Sequence, residues 1–580
     1  MIPKNIIGSF IWHRKWIYLL SIGAIAVAEA VQVQIPRVLG NFINQFKIGI
    51  TPAGVMHYAI LLMGIATVYV VTFGLGQFIV GRLGRTMEFE LRERLFAHWE
   101  TLSSRYFQQH SVGDLLNHAL TDVPAVREAM SGGFNQISQA LFLFVATLYM
   151  TISSINLDLT LVSLIPILLI PGIIVVVGPK VRIRSRLVQE ALSNMAELAE
   201  ESFQAIRLIK ATSNESVEID RFRTLVDEIV RRQMNLVQLN TLFQAILPLL
   251  SGVSFVIGLV YGGELVIHHQ ISLGSFVAFT VYLSMLVTPL MQFGLVINTF
   301  QNSSASLIRI GTLLSVQPDI ADPATPVEKD WQGGVTIRDL TFRYPGSKAP
   351  ALASVSVSIP PGSMLGVVGR TGSGKTTLLN LILRDYDPPP GSVLIDDVDV
   401  RDMRLADLRE LVAYVPQDGF LFSTTIGSNI AFSQPTVVPE LVEHAARQSR
   451  ILDAIRAMPE GIHTPIGERG IMLSGGQRQR TAIARALIKS QAKILILDDS
   501  LSAVDTRTEA EILRVLQDAR GQKTTIIAAH RLSALRLADW IIVLDKGEIV
   551  ESGTHSELMR NNGLYARLYH IQSGGEPAHG

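Results

Sequence analysis

The stretch that decides the fold of the second half of the chain is MLGVVGRTGSGKTTLLNLIL, residues 364–383. Its centre fits the pattern G-x-x-x-x-G-K-[ST] between an apolar strand and an apolar helix, which is the context of a phosphate loop. Glycines let backbone N–H groups face a phosphate, and the helix N-terminus adds a positive dipole end. Lys375 is predicted to reach the β- and γ-phosphates, and Thr376 to ligate Mg²⁺. The candidate ATP-binding residues here are Gly369, Arg370, Thr371, Gly372, Ser373, Gly374, Lys375, Thr376 and Thr377.

A second apolar run, KILILDD at residues 493–499, ends in two carboxylates. Its composition indicates a buried strand, and Asp498 fits a Mg²⁺-associated carboxylate at the carboxyl end of that strand. Asp499 fits the place of the group that polarises the attacking water. From Val335 onward, short β-branched strands alternate with helices, a pattern typical of an α/β domain.

The composition places the rest of the molecule in a membrane. Apolar residues make up 48% of the 580 residues and charged residues only 17%, while soluble proteins carry about 25% charge. The mean hydropathy is +0.33. A formal net charge of zero argues against a nucleic-acid partner and against disorder. The absence of cysteine excludes disulfides, thiolate zinc sites and cysteine nucleophiles.

Six apolar stretches precede residue 300, and each can reach the roughly 20 residues that cross a bilayer. The predicted spans are 16–40, 56–81, 134–156, 159–179, 242–267 and 272–296. The loops after the second and fourth spans are rich in Lys and Arg, whereas the opposite side carries only Arg37 and Lys47. The positive-inside rule therefore places both termini and both long loops in the cytoplasm. A cleaved signal peptide is a rival for residues 13–30, but the stretch stays mostly apolar as far as Leu39.

The expected fold is a multi-domain membrane protein. Residues 1–314 form an all-α domain of six transmembrane helices with long cytoplasmic extensions. Residues 315–333, with three prolines, read as a linker. Residues 334–572 form an α/β nucleotide-binding domain with a phosphate loop, and residues 573–580 are a tail.

The sequence LSGGQ at residues 473–477 resembles the signature of the ATP-binding cassette (ABC) family. Other motifs of that family appear along the chain in the family's order, some before and some after this signature. By this resemblance Tyr344 stacks on adenine, Gln417 senses Mg²⁺, Asp505 belongs to the D-loop and His530 contacts the γ-phosphate. Residues 467–470 resemble an exporter-specific loop, and residues 113–122 and 201–215 resemble coupling-helix regions. Six spans followed by one cassette is the arrangement of a type I ABC exporter half-transporter.

The resemblance implies a dimer in which ATP, with Mg²⁺, lies between one chain's phosphate loop and the signature of the other chain. The residues acting in trans are then Ser474, Gly475, Gly476 and Gln477. It also implies export across the bacterial cytoplasmic membrane, driven by ATP hydrolysis. Residue 499 departs from the family pattern, because a competent site has glutamate there. A carboxylate drawn back by about 1 Å can cost on the order of 10²-fold in rate.

The sequence therefore favours a heterodimer whose partner carries that glutamate, similar to bacterial heterodimeric multidrug exporters that move hydrophobic or amphipathic compounds. A homodimeric lipid or peptide exporter is the alternative of the same class. A channel built on the ABC frame is a third interpretation. Soluble ABC ATPases are excluded by the six spans.

Glu29, within the first span, is the candidate substrate residue, because an ionisable side chain inside a membrane points to function by default. A carboxylate there would attract amphipathic cations. The structural alternative is pairing with a polar neighbour or Arg37, or a head group that reaches water at the interface.

Overall fold

A computed structural model describes residues 4–467, 470–518 and 521–573. Glu468 and Arg469 of the predicted exporter loop, and residues 574–580 of the predicted tail, lie outside the described residues. The chain divides into two compact units. The first contains the chain up to Gln317 apart from Leu102–Tyr106, and the second contains that segment and the chain from Pro318 onward.

The first unit is all-helical. Its helices are α1 (Lys4–His13), α2 (Lys15–Gln32), α3 (Gln34–Ile48), α4 (Pro52–Trp99), α5 (Ser104–Gln109, partly in the second unit), α6 (Val112–Asn117), α7 (Val123–Glu128), α8 (Phe134–Ser154), α9 (Leu157–Gln204), α10 (Ile206–Thr212), α11 (Glu215–Ile267) and α12 (Leu273–Ser315). Two π-helical turns, His118–Asp122 and Ala129–Gly133, flank α7. The regions compared with coupling helices contain the short helices α6 and α10.

Six helical stretches of the described chain are long and apolar enough to cross a membrane, which agrees with the expected number of six; their bounds are wider than those of the predicted spans. They are Lys15–Ile48, Pro52–Trp99, Val112–Ser154, Leu157–Gln204, Glu215–Ile267 and Leu273–Leu290. Helices α4 and α9 have 48 residues each and α11 has 53. At 1.5 Å per residue they measure roughly 70–80 Å, more than twice the hydrocarbon thickness. Each therefore has room for a long extension outside the bilayer.

The first span is interrupted at Val33, where α2 ends and α3 begins. Pro36 cannot donate a backbone hydrogen bond, so one carbonyl of the preceding turn loses its helical partner. The Tyr282 hydroxyl of α12 donates to the Val33 carbonyl oxygen at 2.9 Å. Helices α11 and α12 also contain an internal proline each, Pro248 and Pro289.

Small residues let some of these helices approach closely. A Cβ atom on Gly274 of α12 would lie 1.9 Å from the carbonyl oxygen of Gly40 in α3. Such contacts are typical of helix packing in lipid, where the hydrophobic effect does not drive helices together.

The second unit contains two sheets. The strands are β1 (Val335–Phe342), β2 (Leu352–Ile359), β3 (Met364–Gly369), β4 (Val393–Ile395), β5 (Val398–Asp399), β6 (Val412–Val415), β7 (Ile494–Asp498), β8 (Thr524–Ala528), β9 (Trp540–Asp545) and β10 (Glu548–Gly553). The antiparallel sheet has the order β2-β1-β4-β5, and the larger sheet β10-β9-β3-β8-β7-β6. In the larger sheet all neighbouring pairs except β10–β9 are parallel.

Nine helices of the described chain accompany these sheets: α13 (Lys375–Ile382), α14 (Leu405–Leu411), α15 (Ile426–Ile430), α16 (Pro439–Gln448), α17 (Leu452–Arg456), α18 (Gly475–Leu487), α19 (Thr506–Asp518), α20 (His555–Arg560) and α21 (Leu564–Ser573). Because β3, β8, β7 and β6 run in the same direction, their carboxyl ends meet at one edge of the sheet. In parallel α/β sheets this is the edge that binds ligands.

The predicted linker is tied to the second unit rather than free. Both carboxylate oxygens of Asp396 accept hydrogen bonds from the backbone N–H groups of residues 332–334. The Leu405 N–H donates to Asp322, and Arg384 donates to the Ala321 carbonyl oxygen. This polar, proline-containing segment therefore lies against the surface of the second unit and is held there by hydrogen bonds. Helix α21 extends to Ser573, one residue into the predicted tail.

Candidate nucleotide site

The phosphate loop lies between β3 and α13, as predicted, and two of its glycines have left-handed backbone angles. Gly372 has φ +80° and Gly374 has φ +106°. A Cβ atom on Gly374 would lie 2.7 Å from Leu352 Cδ2 and 2.8 Å from the Ala351 carbonyl oxygen. Only glycine fits this position without strain, and the loop can therefore turn its N–H groups inward.

The loop has groups that suit a bound phosphate. The Ser373 hydroxyl is buried and has no hydrogen-bond partner in the part of the chain that the structure describes, so an incoming acceptor would satisfy it. The Lys375 ammonium donates to the carbonyl oxygens of Gly369 at 2.8 Å and Arg370 at 3.1 Å. Burial lowers the pKa of Lys375, while the charges of Asp499 and Asp498 oppose that shift.

A candidate metal position lies between Thr376 and Asp498. The Thr376 hydroxyl is 3.4 Å from Asp498 Oδ1, a long hydrogen bond that leaves room for rearrangement around an ion. Burial raises the pKa of Asp498, and although Asp499 adds to the rise, Thr376, Lys375 and His530 lower it. A divalent cation would compensate the buried carboxylate, so these two oxygen ligands fit Mg²⁺. Gln417 lies exposed just beyond β6, at the same edge of the sheet.

Asp499 follows β7 with a left-handed backbone, φ 43°. Its N–H donates to the Ala528 carbonyl oxygen at 2.8 Å. Its carboxylate accepts from the His530 backbone N–H at 3.2 Å. The carboxylate is thus held against the end of β8, and the predicted catalytic pair Asp499 and His530 lie side by side.

Tyr344 lies beside the start of α13. Its hydroxyl donates to Thr377 Oγ1 at 3.0 Å, and its ring packs edge-on against Phe342 and Tyr386 at centroid distances of 5.2 and 5.1 Å. The ring is half-buried, and these contacts fix it next to the phosphate loop.

The signature begins α18 and is held by a capping box. The Ser474 hydroxyl accepts from the Gln477 N–H at 3.3 Å, and the Gln477 side chain accepts from the Ser474 N–H at 2.9 Å. A Cβ atom on Gly476 would lie 2.9 Å from the carbonyl oxygen of Ala503 in the D-loop, and one on Gly475 would lie 3.8 Å from Ala503 Cβ. Within the described residues no hydrogen bond joins residues 474–477 to the chain's own phosphate loop. Ser474 is exposed, and the helix N-terminus can serve a phosphate from elsewhere.

Comparisons with known proteins give the family. Residues 18–290 match the family described as "ABC transporter transmembrane region", and residues 352–502 match "ABC transporter". A probable multidrug resistance ABC transporter ATP-binding/permease protein of Bacillus subtilis is 35% identical, covering 97% of this chain and 96% of its own. The chain belongs to the ABC transporter family. The multidrug resistance-like ATP-binding protein MdlA of Escherichia coli is 33% identical over 97% of this chain and 96% of its own.

Two further comparisons agree with an ABC exporter. An ATP-dependent lipid A-core flippase of Aromatoleum aromaticum is 37% identical over 87% of this chain and 83% of its own. The solved structure of a bacterial Atm1-family ABC exporter with ATP bound has a TM-score of 0.80 and 26% identity, covering 98% of this chain and 99% of that chain. This chain is therefore a membrane-embedded ABC exporter that dimerises, and its cassette is an ATPase coupled to transport.

Sequence reasoning missed two residues that position the D-loop and the His530 segment of this exporter. The Gln479 side chain accepts from the Ala503 N–H at 2.9 Å and donates to Ser502 Oγ at 3.3 Å. Glu509, only 1% exposed, accepts from Arg531 at 3.1 Å and from Ser533 at 2.8 Å. A signal existed for Glu509, because it shares the apolar face of α19 with Ile512, Leu513 and Leu516.

Glu29 lies on α2, four residues before the break at Val33, and is completely buried within the first unit. Among the described residues neither carboxylate oxygen has a hydrogen-bond partner, although the Gln139 side chain is close enough to interact with them. The Gln32 side-chain oxygen is also buried without a partner. Among the described residues no ion pair joins Glu29 to Arg37, and Gln139 is the polar neighbour that the structural alternative allows.

Proposed function

We propose that this chain is one half of a heterodimeric exporter of hydrophobic or amphipathic compounds, and that its own ATP site is slow. The observation that carries the proposal is the position of Asp499. Its short carboxylate is tied to the His530 N–H at the end of β8. A glutamate would carry the carboxylate about one carbon–carbon bond, roughly 1 Å or more, further toward a water on the γ-phosphate, and an offset of that size costs on the order of 10²-fold.

The other residues at the sheet edge then have separate tasks. Tyr344 stacks on adenine, Lys375 binds the β- and γ-phosphates, and His530 contacts the γ-phosphate. Thr376, Asp498 and Gln417 would hold Mg²⁺, and the ion would supply positive charge against the phosphates. The remaining contacts come from the backbone and side chains of residues 369–377.

The signature of this chain serves the partner's phosphate loop, with Ser474, Gly475, Gly476 and Gln477 at the start of α18 and Asp505 in the adjoining D-loop. The intact capping box presents that helix N-terminus to solvent. Two unequal sites follow: a slow one built on Lys375 and Asp499, and a faster one completed by Ser474.

The location of the exporter follows from its charge distribution. We propose that both termini lie in the cytoplasm and that the spans lie in a bacterial cytoplasmic membrane; the concentration of Lys and Arg in the two long loops supports this orientation. Relatives named for multidrug resistance, at 35% and 33% identity, support the substrate class.

The test compares two variants of the purified heterodimer, formed with a second half-transporter that carries glutamate after its Walker B aspartate. Lys375→Ala should leave most of the ATP turnover, because it disables only the slow site. Ser474→Arg should abolish most of it, because it blocks the partner's site. Asp499→Glu should raise turnover at this chain's own site. Equal losses from Lys375→Ala and Ser474→Arg, or full drug-stimulated turnover by this chain alone, would refute the heterodimer.

For the substrate, we propose that the buried, unpartnered carboxylate of Glu29 attracts the positive charge of an amphipathic cation. Glu29→Gln should reduce transport of cationic dyes in proteoliposomes while neutral compounds are still exported. Gln139→Leu is the control for loss of a neighbouring polar group without loss of charge. Unchanged transport of all cationic dyes by Glu29→Gln would contradict this assignment.

A homodimeric lipid exporter is the second candidate, favoured by the 37% identity to a lipid A-core flippase. It predicts that this chain alone moves labelled lipid between leaflets in an ATP-dependent manner. It also predicts that Lys375→Ala and Ser474→Arg reduce ATP turnover equally, whereas the heterodimer predicts a larger loss from Ser474→Arg.

A further inference from the structure

A cavity of about 470 Å³ lies between α1 and α4 in the first unit, away from the nucleotide site. We call it the α1–α4 cavity. Its apolar wall is formed by Phe10, Met87 and Leu91, all buried, and its polar wall by Arg14, Glu90 and Arg94. Its size falls within the range of small-molecule sites, roughly 300–1,000 Å³.

The charges of the α1–α4 cavity favour an anion. Arg14 pairs with Glu90 at 2.5 Å, and its guanidinium also lies 4.1 Å from the centre of the Phe10 ring. Arg94 is exposed, and within the described residues it has no acidic partner at ion-pair distance. One positive charge is therefore left over. His13 lines the same cavity.

Aromatic and basic residues around Arg14 mark a membrane surface. Arg14 immediately precedes the first candidate span, Lys15–Ile48. Trp12 and Trp16 are 68% and 73% exposed, and the Lys15 ammonium lies 4.0 Å from the centre of a Trp12 ring. Tryptophan and lysine concentrate where the apolar core meets the head groups.

We infer that the α1–α4 cavity binds the phosphate head group of an anionic phospholipid. Arg94 and Arg14 would bind the phosphate oxygens through paired N–H groups, the geometry at which arginine is better than lysine. The acyl chains would lie along the exposed apolar surface of α2, where Leu19 and Leu20 are 53% and 59% exposed. This inference does not depend on the heterodimer or on the transported compound.

The experiment measures lipid retention by native mass spectrometry of the full-length exporter, purified from nanodiscs of phosphatidylcholine with or without phosphatidylglycerol. We expect phosphatidylglycerol to be retained preferentially, and Arg94→Gln to weaken its binding about fivefold, the effect of one basic residue at an anionic surface. Arg82→Gln is the matched control, since Arg82 is exposed on the same helix but does not line the cavity. ATP turnover in phosphatidylcholine alone checks that each variant is folded.

Three outcomes would overturn the inference. Equal losses of phosphatidylglycerol retention in Arg94→Gln and Arg82→Gln would mean that the lipid is attracted to the basic surface in general and not to this cavity. Unchanged retention of phosphatidylglycerol by Arg94→Gln would mean that the α1–α4 cavity does not bind the lipid. Complete competition by millimolar inorganic phosphate would mean a soluble anion site rather than a lipid site.

Discussion

Replacing Gly476 by alanine tests how closely the signature helix packs on the D-loop. The new Cβ atom would lie 2.9 Å from the Ala503 carbonyl oxygen, so backbone must move by about 0.5 Å to reach ordinary contact. Overpacking of this kind costs about 1–3 kcal/mol. The adjacent Gly475→Ala is the matched control, because its Cβ would lie 3.8 Å from Ala503 Cβ, an ordinary contact.

Both variants also replace glycine in the first turn of α18, where alanine gains up to about 1 kcal/mol of helix stability. This term is common to the two, so their difference isolates the overlap with Ala503. Gly475→Ala should be neutral or stabilising relative to wild type, and Gly476→Ala should melt about 2–12 °C below Gly475→Ala, at 2–4 °C per kcal/mol for a unit of this size.

Thermal unfolding of the purified, nucleotide-free chain measures the difference. Hydrogen exchange at the Ala503 amide gives a second measurement, since that N–H donates to Gln479 at 2.9 Å. Displacing the D-loop should speed exchange in Gly476→Ala and leave it unchanged in Gly475→Ala. Melting temperatures within about 1 °C of each other, or the reverse order, would refute the packing argument.

Three further predictions concern the cassette. Burial raises the folded-state pKa of Asp498, so the ionised carboxylate lowers the stability of the folded chain once the pH rises above the ordinary aspartate value of about 4. Asp498→Asn should therefore have a higher melting temperature than wild type at pH 7.5 with EDTA. The difference in melting temperature should shrink as the pH falls toward about 4. Glu509→Gln should cost about 1–3 kcal/mol in urea unfolding and Arg531→Gln less, because Glu509 is almost fully buried while the Arg531 side chain is 44% exposed. Gly374→Ala should lower ATP affinity and melting temperature more than Gly372→Ala, as binding and unfolding assays can measure. Both glycines have positive φ, which costs alanine about 1–2 kcal/mol, but among the described residues a Cβ on Gly372 meets nothing within 4 Å.

The arrangement of the sheet edge was predictable because each motif directly follows an apolar strand. Asp498 ends β7, Gln417 follows β6 and His530 follows β8, so parallel pairing alone brings them together. The six spans were predictable for a similar reason, since length and apolar composition define a span without tertiary information.

Contacts that depend on side-chain direction could not be predicted. Gln479 accepts a hydrogen bond from the D-loop residue Ala503, 24 residues further along the chain, and the local sequence does not indicate this partner. Asp396 binds backbone of a segment more than 60 residues earlier, so composition alone indicated a free linker there. The break at Val33 had a local signal in Pro36, but the stabilising hydroxyl of Tyr282 lies on the last span.

The proline inside α12 gives that helix a mechanical property. Pro289 removes one backbone hydrogen bond, and a helix bends most easily at such a point. From there to the end of the helix at Ser315 is roughly 39 Å, at 1.5 Å per residue. A bend of about 10° at Pro289 would swing Ser315 sideways by about 7 Å. A small change in the bend of α12 within the membrane would therefore move the far end of the helix by a distance comparable to the width of a side chain.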